Sequence, residues 1–231
     1  MTHLIYVTMA ATGNTGKTTV ARHVLADGTG GSISTLESRS ASGEETDTLD
    51  RDGLAARLFS PPEGGLVADI GVGDAVDALA AVMLVARQDP TLPQRLKIVV
   101  PMLADSKSVA GLRWLLAQLP EPLRAATRAV WNRVRREDEV SLRDGDVARA
   151  ARAVSRQTGA RLCAPVLHES PLLDPIHPLI RRYGSIAALA GIPDAEIRAA
   201  TLSDMPSLLV GRDAAQAALT DCRAVFAAIT D

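Results

Sequence analysis

Residues 5–20 read Ile5-Tyr6-Val7-Thr8-Met9-Ala10-Ala11-Thr12-Gly13-Asn14-Thr15-Gly16-Lys17-Thr18-Thr19-Val20. An apolar run of strand character enters a turn of small residues. Gly-Lys-Thr-Thr then opens a segment whose apolar residues Val20, Ala21, Val24 and Leu25 recur at helical spacing. Strand, glycine-bearing loop and helix, in that order, let backbone N–H groups curl around phosphates while the helix N-terminus adds its positive end. Gly13, Asn14, Thr15, Gly16, Lys17, Thr18 and Thr19 are the candidate phosphate-binding residues. Lys17 would reach the outer phosphates, and the Thr18 hydroxyl would ligate Mg²⁺. The loop departs from the usual pattern at Ala11, where a glycine is expected five residues before Gly16. For a bare Gly-Lys-Thr the alternative is an ordinary strand-to-helix turn.

Outward from this stretch, strand-like and helix-like segments alternate. Strands are expected at Leu4–Met9, Ser32–Glu37, Leu66–Gly71, Leu96–Met102, Thr127–Val134 and Arg161–Leu167. Helices are expected over 16–26, 53–59, 74–87, 106–119 and 147–158. The polar stretch Ser38–Asp52 and the charged stretch Arg135–Asp146 read as loops, and the chain is mostly helical from Leu173 onward. Alternation of this kind predicts an α/β fold, a doubly wound and mainly parallel sheet flanked by helices, with a helical C-terminal extension. One unit spanning 1–231 is expected, with 1–170 the nucleotide-binding core and 171–231 the helical part. Ligands of such sheets bind beyond the C-terminal strand ends. Besides the 11–18 loop, the polar residues falling at those ends are Glu37, Asp69, Asp105 and Asn132.

Composition narrows the class. Aromatic residues make up only 3% of the chain, so alanine and leucine must fill the core. Lysine occurs only at Lys17, Lys97 and Lys107, which makes a loop lysine conspicuous. A net charge of -2 argues against a protein built to coat nucleic acid. The arginines from Arg124 to Arg161 allow either a local stripe for DNA backbone or a solvated face, given the interspersed acids Glu137, Asp138, Glu139, Asp144 and Asp146. Cys163 and Cys222 lack ligand spacing and read as buried reduced thiols. His3, His23, His168 and His177 show no ligand or triad spacing and read as packing or surface residues. With no leader and no apolar run long enough for a bilayer, a cytoplasmic protein is expected.

On these residues the chain resembles the deviant Walker-A ATPases of the ParA/MinD type, which serve plasmid partition and cell-division placement. The likeness covers roughly the first 170 residues. The family loop Gly-Lys-Gly-Gly-x-Gly-Lys-Thr is matched by Ala11-Thr12-Gly13-Asn14-Thr15-Gly16-Lys17-Thr18, with Thr12 at the position of the signature lysine. The run Gly13–Leu25 and the Glu37-Ser38 pair look closer to StbB-type plasmid stability proteins, as does Asp105-Ser106-Lys107-Ser108. The resemblance implies ATP and Mg²⁺ as cofactors. It implies Asp69 as the switch acid holding Mg²⁺ through a water, and Gly71 as the glycine whose N–H approaches the γ-phosphate. Glu37 would orient the attacking water, and the Asn132 amide would read a purine edge. The plain alternatives are a helix cap for Asp69, a solvated acid for Glu37 and a turn former for Asn132.

The function so implied is a Mg²⁺-dependent, slowly hydrolysing ATP switch in plasmid stability, partition or conjugative transfer. It would work with a plasmid-encoded DNA-binding partner and an ATP-dependent homodimer. Thr12 delivers no positive charge across such a dimer, so slow intrinsic hydrolysis is expected, with Arg39 a candidate substitute. The rival readings are a P-loop metabolic enzyme, such as a dethiobiotin-synthetase-like ligase or small-molecule kinase, and a nucleotide-binding adaptor that does not hydrolyse.

Overall fold

The structure, a computed structural model, describes residues 4–30, 32–36, 47–169 and 173–231. Seven parallel strands run in the order β3-β2-β4-β1-β5-β6-β7: β1 Ile5–Thr8, β2 Ser32–Leu36, β3 Asp47–Thr48, β4 Leu66–Ile70, β5 Leu96–Met102, β6 Thr127–Val134 and β7 Arg161–His168. All six expected strands are present. The two-residue edge strand β3 is an addition, lying in a stretch whose polarity reads as loop.

Helix α1 is one continuous rod over residues 17–29, α-helical at both ends and π-wound over Val20–Ala26. Further along lie α2 (Arg51–Phe59), α3 (Ala75–Gln88), α4 (Ser106–Gln118) and α5 (Asp146–Thr158). The C-terminal part contributes α6 (Leu173–Tyr183), α7 (Ile186–Ala190), α8 (Asp194–Ala199) and α9 (Met205–Thr230). Glu139–Asp144 is also helical, within the stretch whose charges suggest a loop. Leu142 packs on the core there, and an Arg143–Glu139 pair one turn apart supports the turn.

Strand periodicity divides the core in two. Ile5, Val7 and Met9 project to one face, where Leu54 and Leu58 of α2, Leu79 and Val82 of α3, Leu112 and Leu116 of α4 and Val154 of α5 cover them. Tyr6, Val67, Val99 and Val130 project to the other, under α1 and the C-terminal half of α9. The rods α1 and α9 meet closely: a Cβ at Gly28 would overlap the Phe226 ring. A third apolar cluster, including Ile180, Ile186, Leu189, Ile197 and Ala215, joins α6, α7 and α8 to the N-terminal half of α9. One long helix therefore ties the C-terminal helices to the helix that follows the glycine loop.

The strand order places β1 between β4 and β5, where the chain switches direction across the sheet. The crevice at such a switch point, outside the strand C-termini, is where this architecture accommodates ligands. No helix among the described residues is long and apolar enough to cross a membrane.

Candidate functional site

The loop between β1 and α1 starts from a strand held on both sides. Thr8 is the Cα partner of Asp69 in β4 and of Val99 in β5, and the Met9 N–H donates to the Val99 carbonyl. Beyond it the backbone turns through two left-handed residues, Asn14 at φ 58° and Gly16 at φ 75°. Such alternation turns successive N–H groups inward into an anion-binding concavity. Gly16 is the N-cap of α1 and offers no side-chain cap, so the first-turn N–H groups face the loop. Thr18 and Thr19 are exposed beside a half-buried Lys17. Gly13, also exposed, has open space around its Cα.

Asp69, the last but one residue of β4, lies directly beside Thr8 and is only 6% exposed. Burial pushes its carboxyl above the ordinary aspartate value, while a hydrogen bond with the Thr18 side chain and the charges of Lys17 and Arg22 pull it back. Its Oδ1 is buried without a partner, as is the Thr15 hydroxyl. A hydroxyl and a carboxylate side by side, with one carboxylate oxygen unused, are hard oxygen donors of the kind Mg²⁺ takes together with phosphates and waters. The residues present therefore fit a Mg–nucleotide. Asp69 does not serve as the cap of the helical turn that follows it; Gly71 holds that position. Arg22 escaped the sequence reading, although it lies one helical turn beyond Thr18.

Two of the expected site residues make contacts within the fold. The Gly71 N–H donates to the Leu36 carbonyl of β2 at 2.8 Å, so in this conformation it extends the sheet and is not aimed at a γ-phosphate. Asn132 does reach the rim, but its Nδ2 donates to the Thr15 carbonyl at 2.7 Å, deep enough that the residue is 3% exposed. One of the two N–H groups of that amide is therefore spent on the loop backbone.

Glu37 and Arg39 lie outside the described residues. Asp105 is an N-cap: its carboxylate accepts the Ser108 N–H at 2.7 Å, and the Ser108 hydroxyl in turn accepts the Leu103 N–H. Thr12, at the position of the missing lysine, packs near Gly111 of α4, and a Cβ there would crowd it and Ala11. Both cysteines are free and buried, their thiols pushed up to about 11 and about 12 by burial. No group of three or more His, Cys, Asp or Glu among the described residues is arranged to hold a metal by itself.

A cleft of about 740 Å³ opens further along the rim, at the ends of β6 and β7, between Arg135, Arg136 and His168 on one side and Val210, Ala214 and Ala217 of α9 on the other. His168 is held there between Asp221 at 2.8 Å and Glu139 at 3.2 Å. These partners are far away in sequence, and no local spacing announces them.

No protein-family model matches the chain, and no curated protein matches it. Among solved structures it is similar to the ATP complex of a McdA variant from Cyanothece, at 17% identity and a TM-score of 0.42, over 95% of this chain and 97% of that one. A likeness this loose transfers neither ligand nor activity.

Proposed function

We propose that this chain is a Mg²⁺-dependent ATP-binding switch with slow hydrolysis. The observation that carries the reading is the loop itself: two left-handed residues open its N–H groups onto Lys17, Thr18 and a buried Asp69 whose free oxygen faces no partner. A triphosphate with its Mg²⁺ supplies the opposite charges to both halves of that arrangement. Bound Mg²⁺ would neutralise charge on the phosphate oxygens; Lys17 and the loop N–H groups would orient and hold them.

Slow turnover has two supports. Thr12 carries no charge, and the Gly71 N–H is committed to Leu36. The switch reading extends to plasmid stability, partition or conjugative transfer, with residues 1–170 carrying the nucleotide and 171–231 the helical part of one unit. Its support is the StbB-like run Gly13–Leu25, and the partner it calls for is a plasmid-encoded DNA-binding protein. Glu37 keeps its proposed place as the residue that orients water.

Titration of the purified chain with ATP, with and without Mg²⁺, tests the core of this reading. Lys17→Ala is expected to weaken ATP binding roughly 10- to 100-fold, the scale of one charge-assisted hydrogen bond. The nucleotide-free protein should stay folded, with a melting temperature lowered only by the loss of the Lys17 charge that opposes buried Asp69, because a half-buried lysine at the loop fills no core. Equal ATP affinity in a folded Lys17→Ala protein overturns the proposal.

A further inference from the structure

We infer that Asn132 is a positioning residue: from β6 it latches the glycine loop by its Thr15 carbonyl, and the loop holds its phosphate-accepting shape only while that latch is closed. The inference rests on the nucleotide reading above but assigns the residue a role that a base-reading asparagine would not have.

The backbone of β6 is irregular around this contact. Residues Arg128, Val130 and Asn132 alternate onto the face covered by α1, so strand parity already aims the amide toward the loop. The β6–β7 pairing slips register between Ala129 and Trp131 and again between Trp131 and Val134, so the ladder is irregular around Asn132. Arg133 then takes φ 56°, a left-handed conformation that a bulky residue adopts only when its surroundings demand it. It is also the one exposed residue of an otherwise buried strand. This left-handed residue follows Asn132 directly, before the strand closes at Val134.

The loop side is shaped to match. A Cβ on Gly16 would overlap the Asn132 amide nitrogen, so the close approach requires glycine there independently of its positive φ. The bond turns the Thr15 carbonyl toward β6. In a loop whose N–H groups are to converge on an anion, carbonyls must point away, and a fixed donor behind the loop enforces this. Thr15 itself is 1% exposed, so no water replaces the amide readily. The contact spans 117 residues of sequence and joins the second strand to the side of β1 directly to the loop.

Two ligands separate the roles: ATP, and inorganic tripolyphosphate, which has the phosphates and no base. Asn132→Asp keeps the shape but sets an oxygen against the Thr15 carbonyl; Asn132→Ala removes the donor and adds no charge. With a latch, both variants lose affinity for ATP and for tripolyphosphate by the same factor, about tenfold for Asn132→Ala and more for Asn132→Asp. The ATP-to-GTP ratio stays at its wild-type value. Loss confined to ATP, or a changed ATP-to-GTP ratio, overturns the latch in favour of base reading. Unchanged affinity for both ligands in a folded variant reduces Asn132 to a packing residue and also overturns it. If wild type binds neither ligand, the nucleotide reading itself has failed, a result distinct from any of these.

Discussion

The two ends of the sheet treat charge in opposite ways. At the C-terminal end, the buried carboxylate of Asp69 is drawn into a mixed set: Thr18 bonds to it, and Lys17 and Arg22 oppose its charge. At the N-terminal end, Lys97, Arg128 and Arg161 begin β5, β6 and β7 with no carboxylate paired to any of them among the described residues. Arg128 is the Cα partner of Arg161 and is only 7% exposed; its guanidinium donates to the Ala125 carbonyl at 2.8 Å, while its Nε has no partner. Burial, then repulsion from Arg128 and Arg161, holds the Lys97 amine below its ordinary value. At the rim, cations and a carboxylate stand together, a set to which the proposed ligand would add phosphates and Mg²⁺. The cluster at the other end has backbone carbonyls at Arg128 to soften it and no opposing carboxylate among the described residues. The two ends differ in where stability has been given up, and for what.

The sharpest way to break it is Asp69→Asn. The folded-state carboxyl of Asp69 titrates above its unfolded value, so the native state holds that proton more readily. Its ionisation therefore removes stability as pH rises from the unfolded value through the folded one. Above that window Asn, neutral at the same site, is expected to raise the melting temperature of the nucleotide-free protein, by about 2–4 °C for each kcal/mol relieved. The same change should abolish the Mg²⁺-dependent gain in ATP affinity. Calorimetric melting at neutral pH and ATP titration with and without Mg²⁺ check both halves. A lower melting temperature would mean that Thr18, Lys17 and Arg22 outweigh the burial of Asp69, and the rim would then be no less comfortable than a paired site.

A smaller effect is expected at the opposite end. Arg161→Glu places a carboxylate on the exposed flank of the basic cluster, next to Arg128. Stabilisation of about 0.2–1 kcal/mol, the scale of an exposed pair, is expected, fading as salt rises. Denaturant melts at low and high ionic strength measure it. No gain at low salt would show that the three cations are already well enough hydrated to ignore one another.

Most of the architecture was legible because it depends on local pattern. The apolar runs Leu66–Ala68 and Ile98–Met102 announce buried parallel strands, and the glycine loop announces its own place between β1 and α1. Asp69 could be placed at the rim by position alone. The contact of Asn132 could not, since a donor at a strand end reads identically whether it meets a base or a carbonyl 117 residues away. The same holds for Gly71, whose N–H finds Leu36 only once β2 and β4 are paired. The cationic cluster was invisible for a related reason. Lys97, Arg128 and Arg161 lie in three separate strands, and only the register of β5, β6 and β7 makes them neighbours. The edge strand β3 is two residues of polar sequence paired to β2, a tertiary choice with no local signature.

The smallest expected effect is also the one most specific to the comparison, because it isolates a single member of the cluster. In the folded chain the Lys97 amine loses its proton more easily than in the unfolded chain, since burial and two neighbouring arginines disfavour its charge. Between the folded and unfolded values the unfolded chain binds the extra proton. Stability therefore rises with pH across that alkaline window and is at its relative lowest below it. Lys97→Met keeps an unbranched side chain of similar reach along the β-sheet and has nothing to titrate. The difference in unfolding free energy between the two proteins is expected to favour Met at neutral pH and to shrink as pH climbs through the window. Subtracting one curve from the other removes the contributions of Tyr6, Cys163 and Cys222, whose own values are raised by burial and which are common to both. A difference that stays flat with pH would show that Lys97 escapes to solvent despite its neighbours, leaving Arg128 and Arg161 as the only strained pair at that end of the sheet.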